Sequence, residues 1–299
     1  MQLSSLIQKW SGIDEHSKIM IVTDEVQQSL AESVKAEDVY DVRIGYFPLT
    51  ESFAAEMQSL SDSDLVIVML SFDTFVQGGG NRCFSPFAKP DWLAAKYIFI
   101  RLSIGRDSLI QGLSTNKTLV YDKIAEMDRL LPCVPVRVTG AAGTDITLQV
   151  RPFTTCSHEI AEPGGMAFLP PSETSSDVIE GTANGKIVID ITAGQLYHYG
   201  DLLGYYGRVS SPVTLTVENG IITDISGGDT AADIKEKLFS LPVECRTLVE
   251  LGQGLSKMQP TGLIGVDESI IDSCHFGFGD GGSCGVHWDV VISAPDIRQ

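Results

Sequence analysis

A chain of 299 residues, 43% hydrophobic and 20% charged, has the makeup of a folded globular protein and is long enough for two domains. Its 39 acidic residues against 21 basic ones give a formal net charge of −18, a field that repels phosphate and so argues against nucleic acid and anionic membrane as partners. No apolar run reaches signal-peptide length in "MQLSSLIQKWSGIDEHSK" or membrane-spanning length elsewhere, so the cytoplasm is the expected location. The six cysteines form no Cys-x-x-Cys pair and are expected to be reduced and mostly buried.

In chain order, "KIMIVTD" (18–24) reads as a buried strand and "EVQQSLAESVKA" (25–36) as a helix. "DVRIGYF" (41–47) is a second strand, "TESFAAEMQSLSDS" (50–63) a helix and "DLVIVMLSF" (64–72) a third strand. "QGGGNR" (77–82) follows; it lacks the spaced glycines and lysine of a phosphate loop and reads as a flexible turn. "DWLAAKYIFIRLSIG" (91–105) is expected to hold a helix leading into a fourth strand. Continuous apolar strands alternating with helices predict a parallel, Rossmann-like α/β layer over residues 1–133. The two prolines of "LLPCVPV" place a boundary near 131–136.

Beyond it, over 134–299, the strands shorten and Gly, Asn and Asp turns separate them, predicting a β-rich α+β domain. "TLTVENGIITDI" is a β-hairpin around Asn219-Gly220, and "TAADIKEKLFSL" (230–241) a helix. The chemistry concentrates in the last fifty residues. In "GDGGSCGVHWDVVIS" (279–293), strand alternation puts His287, Asp289 and Val291 on one face, and Val286, Trp288, Val290 and Ile292 on the other. The second set is a core face; the first sets an imidazole beside a carboxylate. Glu250 in "LVELGQG", Glu268 in "GVDES" and His275 in "SCHFGFG" lie just upstream. Imidazole with carboxylate suits Zn, Mn, Co or non-haem Fe, although a hydrogen-bonded pair with solvated acids is the plainer alternative. His16, His158 and His198 are read as structural. A metal-ligating His287 needs an acceptor for its other ring nitrogen, with Asp272 or Asp280 as candidates.

The segments "VRVTGAAGTDITLQV", "PGGMAFLPPSE", "VELGQGLS", "DESIIDSCHFGFG" and "GVHWDVVI" occur in order between about residues 134 and 299. Together they resemble the M29 aminopeptidase family of the aminopeptidase T type, whose relatives include 2,5-dihydroxypyridine dioxygenases and shorter leucyl-aminopeptidase-like chains. The resemblance implies a metal-dependent hydrolase acting on a peptide or amide bond. Its metal ligands would come from Glu250, Glu268, His275, His287 and Asp289, with Glu250 or Glu268 as catalytic base. It also implies a peptide or small-molecule substrate and a homodimer. The family's Pro-x-Gly-Glu carboxylate falls on Met166, which cannot replace a charged oxygen ligand, so one divalent ion is expected rather than two. Two further readings stay open. One is a mononuclear Fe(II) ring-cleaving dioxygenase, in which His287 and Asp289 match two of three ligands and a histidine is wanted near Glu250. The other is a non-peptidase descendant that binds a peptide or small molecule in a biosynthetic pathway.

Overall fold

A computed structural model describes residues 2–37, 39–77, 89–160 and 162–299. Helix α1 (Leu3–Ser11) leads into β1 (Lys18–Thr23), α2 (Gln28–Lys35) into β2 (Asp41–Tyr46), and α3 (Glu51–Gln58) into β3 (Leu65–Met69). After α4 (Phe72–Gln77), the loop "QGGGNR" lies outside the described residues except for Gln77. β4 (Lys96–Ile100) follows, with no helix before it: residues 91–95 form a turn from which Leu93 and Ala95 enter the core. Between Pro90 and the strand there are too few residues to repay helix nucleation.

Helices α5 (Arg106–Leu113) and α6 (Lys117–Met127) precede β5 (Pro135–Thr139), β6 (Asp145–Gln149) and the short β7 (Thr154–Thr155). Then β8 (Met166–Leu169) pairs in parallel with β4, completing a five-stranded sheet of order β2-β1-β3-β4-β8 whose pairings are all parallel. Every residue of β3 and all but the first of β1 are buried, which is the signature of a parallel sheet covered on both faces. Residues 1–115 and 156–172 form this compact unit, and 116–155 with 173–299 form the second. Thus 156–172 return to the first unit because β8 is its edge strand, whereas the sequence texture places a single boundary near 131–136.

The second unit is antiparallel. It continues through β9 (Glu173–Asp177), β10 (Asn184–Ile189), β11 (Gln195–His198), β12 (Asp201–Tyr205), β13 (Val213–Glu218) and β14 (Ile221–Ser226). Then come α7 (Asp229–Phe239), a 3-10 turn (Val243–Arg246), β15 (Leu248–Gly254), α8 (Ile264–Asp267), β16 (Ser273–Phe278), β17 (Trp288–Ser293) and β18 (Asp296–Arg298). The expected hairpin is β13–β14, with Asn219 and Gly220 at φ 50° and 79°, the positive values that a two-residue turn between twisted strands requires. One sheet runs β14-β13-β10-β6-β5-β18 and another β17-β16-β15-β9-β7. Both contribute to one apolar core, the first through residues such as Val138, Ile187 and Leu215, the second through Leu251, Phe276, Trp288, Val290 and Ile292. No helix among the described residues is long and apolar enough to cross a membrane.

Trp288 anchors that core: its ring is fully buried and its indole N–H donates to the Ala193 carbonyl at 2.7 Å. Trp288→Ala is expected to destabilise the second unit by about 3–5 kcal/mol, through the lost burial, the cavity and the orphaned carbonyl. Urea unfolding followed by far-UV dichroism reads this as an earlier transition.

Candidate metal centre

The site is the outward face of β9, β15, β16 and β17. Antiparallel pairing puts side chains of matched residues on the same face, so register alone assembles the site. In one row Asp177 faces Glu250, Glu250 faces Gly277, and Gly277 faces Asp289. In the next row Ser175 faces Gly252, Gly252 faces His275, and His275 faces Val291. Glu173, opposite Gly254, stands one row further along. A β-bulge between Leu248 and Glu250 re-aims the glutamate at the start of β15. As alternation implies, Trp288, Val290 and Ile292 turn to the core while His287 and Asp289 do not.

Glycines form the floor. A Cβ on Gly252 would lie 2.1 Å from the His275 ring, so only glycine lets the imidazole lie flat across the neighbouring strand. A Cβ on Gly277 would stand 2.9 Å from both the Asp289 carboxylate and the Glu250 side chain, filling the space where the two acids converge.

Over this floor five ligand-type side chains fall into two groups. His275 Nε2 is 3.0 Å from Glu173 Oε2 and 3.8 Å from Glu250 Oε1. His287 Nε2 is 3.4 Å from Glu250 Oε2 and 3.4 Å from Asp289 Oδ2. In each group, Glu173–Glu250–His275 and Glu250–His287–Asp289, the candidate donor atoms lie within 4.8 Å of one another. Glu250 belongs to both and offers a different oxygen to each. Atoms bound to one ion at about 2.0–2.2 Å stand about 3–4.4 Å apart, so these spacings suit metal ligation. The groups differ in access: the His275 side chain is 2% exposed, Glu173 and Asp289 are 14%, Glu250 is 22%, and His287 is 44%. Solvent therefore reaches the centre from the His287 side.

Burial alone would favour the neutral forms, yet the charges sustain one another. For His275, burial depresses the pKa, but hydrogen bonds and attraction from Glu173 and Glu250 overcome it and hold the imidazole well above its usual range. Asp289 and Glu250 raise His287 to about 10. Glu250 is pushed up by burial and down, more strongly, by hydrogen bonds from His275, His287 and Ser175, ending well below the carboxylate range. Asp289 goes the other way, its burial raising it despite the imidazoles. Its Oδ1 is buried and accepts no hydrogen bond. An acidic oxygen left without a donor, beside two further carboxylates and two imidazoles, is a donor set that fits divalent cations.

Of the five sequence candidates, Glu250, His275, His287 and Asp289 come together. Glu268 stands outside both groups, capping the C-terminus of α8. Its neighbour Asp267 is fully buried and structural, accepting from Thr192 Oγ1, from the Thr261 N–H and hydroxyl, and from the Gly262 N–H. The outer nitrogen of His287 is satisfied by neither Asp272 nor Asp280: Nδ1 lies 3.1 Å from the Gly279 carbonyl, which can only accept, so Nδ1 carries the proton and Nε2 faces the acids. Asp280 instead accepts from Ser283 and the Cys284 N–H within its own loop.

Sequence reasoning missed Glu173. Met166 packs against the apolar core of the first unit, while Glu173, seven residues later at the first position of β9, joins the candidate group with Glu250 and His275. The signal was present in "PPSETSSD", where the strand puts Glu173, Ser175 and Asp177 on one face; what the sequence lacks is the partner strand that gives the face its meaning.

Residues 102–253 match the profile of a family described as NicX: 2,5-dihydroxypyridine 5,6-dioxygenase. That span includes Glu173 and Glu250 and ends before His275, His287 and Asp289. The solved structure of a 2,5-dihydroxypyridine dioxygenase from Pseudomonas putida KT2440 is similar with a TM-score of 0.61 and 17% identity, over 99% of this chain and 93% of that one. Wild-type AmpT from Thermus thermophilus is similar with a TM-score of 0.54 and 11% identity, over 99% of this chain and 94% of that one. At such identities the likeness is one of fold. No curated protein sequence matches the chain.

Gly252→Ala is expected to drive the His275 ring from its place and to strip the protein of bound metal while leaving its far-UV dichroism unchanged; elemental analysis after dialysis reads the loss. Because both imidazoles are held protonated, adding Zn²⁺ to metal-free protein at pH 8 in weak buffer is expected to release protons. Affinity should then rise with pH towards the His287 value of about 10. In the metal-free chain the sign is opposite for stability. The His287 contribution is complete below its unfolded value of 6.5 and is lost as pH climbs through about 10, a decline that thermal melts at successive pH values would record.

Proposed function

The chain belongs to the family described as NicX, 2,5-dihydroxypyridine 5,6-dioxygenase, and on that premise we propose that it is a metal-dependent enzyme that hydrolyses a peptide or amide bond. The observation that supports hydrolysis is the sharing of Glu250 between two groups, each of one imidazole and two carboxylates. An open mononuclear iron site wants two imidazoles and one carboxylate on the same ion. Neither ligand group among the described residues contains both His275 and His287.

In this reading Glu173, Glu250 and His275 hold one cation, and Glu250, His287 and Asp289 hold a second. The expectation of a single ion rested on the carboxylate missing at Met166, and Glu173 offers that carboxylate. When bound, such ions supply Lewis acidity, polarising a carbonyl and lowering the pKa of water. The chain's own residues do the rest. Hydrolysis forms a C–O bond, breaks the amide C–N bond and carries one proton from water to the leaving nitrogen. In this reading Asp289, whose Oδ1 accepts no hydrogen bond, carries that proton; Glu268 belongs to neither ligand group. His287, the most exposed member, marks the side from which a peptide or small amide enters. The Gly279 carbonyl fixes its ring so that Nε2 stays on the centre.

A second reading, a mononuclear Fe(II) ring-cleaving dioxygenase, is favoured by the description of the matching family. Elemental analysis is the first test, and the hydrolase reading expects about two ions per chain. Turnover of aminoacyl amides with Zn²⁺, Mn²⁺ or Co²⁺, and no oxygen uptake, is the second expectation. About one iron with oxygen consumed on adding a dihydroxypyridine would replace it by the dioxygenase. Protein that retains no ion and turns over neither substrate would be a ligand-binding descendant. His287→Ala is expected to abolish retention of the outer ion with the fold intact, since Trp288 still packs behind it.

A further inference from the structure

Glu173, Glu250, His275 and Asp289 each belong to a strand, so the ladder fixes them, whereas His287 lies one residue before β17 and outside any strand. Its place depends on the loop from Gly279 that leads into it. Its ring is tied to the far end of that loop, with Nδ1 3.1 Å from the Gly279 carbonyl. Within the loop the Gly281 N–H donates to the Val286 carbonyl at 2.7 Å, and Asp280 accepts from the N–H groups of Ser283 and Cys284. From outside, three successive carbonyls are held. The Tyr199 hydroxyl donates to Ser283 at 2.9 Å, the Cys245 thiol to Cys284 at 3.2 Å and the Tyr199 N–H to Gly285 at 2.8 Å.

Tyr199 is held in an unfavourable conformation. It and Gly200 are the central residues of the two-residue turn joining β11 to β12, with His198 paired to Asp201 and φ at 48° and 90°. Asparagine takes such a first position readily, a bulky side chain rarely. Burial does not explain the choice, since Tyr199 is 68% exposed. What its ring reaches is Gly285: a Cβ there would lie 2.6 Å from the ring, so the loop accepts the tyrosine because that residue is glycine. A strained side chain kept against the loop that carries a ligand points to a functional constraint.

We propose that Tyr199 is a positioning residue of the candidate metal centre: by clamping Ser283 and Gly285 it sets where His287 stands, and so how tightly the outer cation is held. The proposal rests on the metal-binding reading above. Tyr199 acts through the loop, as residues that support a ligand from behind commonly do.

The test is Zn²⁺ affinity by competition with a chelating dye, on the full chain, with metal-free melting temperatures measured alongside. Tyr199→Asn suits the turn, keeps the backbone N–H and removes the ring and hydroxyl. Its melting temperature is expected to equal or exceed that of wild type, while affinity for the outer ion falls about 10-fold or more, the usual effect of removing such support. Tyr199→Phe keeps the ring and loses one hydrogen bond, so its affinity should fall between the two. In a His287→Ala background, Tyr199→Asn should change Zn²⁺ binding no further, because the ligand it positions is gone. Wild-type affinity in Tyr199→Asn, or the same loss with and without His287, would overturn the role given to Tyr199 and leave the metal centre standing. So would affinity that falls only where the metal-free melting temperature falls, which marks a support of the fold alone. Wild-type protein that binds no Zn²⁺ would instead remove the metal reading, and this proposal with it.

Discussion

One carboxylate serving two imidazoles is the constraint on which the rest of the site depends. Three acids gathered on one half-buried sheet face repel one another, and burial strengthens the repulsion by excluding water. Without cations the arrangement is held by two protonated imidazoles, which is why Glu250 sits far below the ordinary carboxylate range while His275 and His287 sit above theirs. The same attraction that stabilises this charge pattern can be exchanged for attraction to divalent ions, with the imidazole protons released. Glu250 therefore links the two groups energetically: moving one of its oxygens moves the other.

A sheet provides the rigidity that such a site needs. These side chains stand on or beside strands of one sheet, with β9, β15 and β16 inside it and β17 at its edge, and the reverse face of the same strands buries Phe276, Phe278, Trp288, Val290 and Ile292. Core packing thus fixes the height of the strands, register fixes which side chains meet, and the glycines at 252 and 277 clear the room in which they meet. The loop from Gly279 to His287 adds the last element. Asp280 ties its turn together, and the Tyr199 hydroxyl donates to the Ser283 carbonyl, so the strand entry that presents His287 is braced from outside the sheet.

Much of this was legible in the sequence, for identifiable reasons. Strict alternation in "VHWDVVI" determines facing before any partner strand is known, and Asn219-Gly220 specifies its own turn. Uninterrupted apolar runs announced the parallel sheet. What escaped was non-local. Nothing near Met166–Leu169 says that it will pair with Lys96–Ile100, and that pairing brings residues 156–172 back to the first unit. Glu173 gains its role from antiparallel register with Gly254, across eighty residues of chain. Glu268 entered through the family resemblance alone, and it lies at the C-cap of α8, in neither ligand group.

The unequal burial of the two imidazoles carries a kinetic consequence. Water and small chelators meet His287 at the rim, while His275 lies beneath the sheet's own acids. Cations seated at the two positions would not be interchangeable: the outer one would trade with the medium quickly, and the inner one would leave only after its neighbour. Filling would proceed in the reverse sequence, with the deep seat taken before the mouth of the centre.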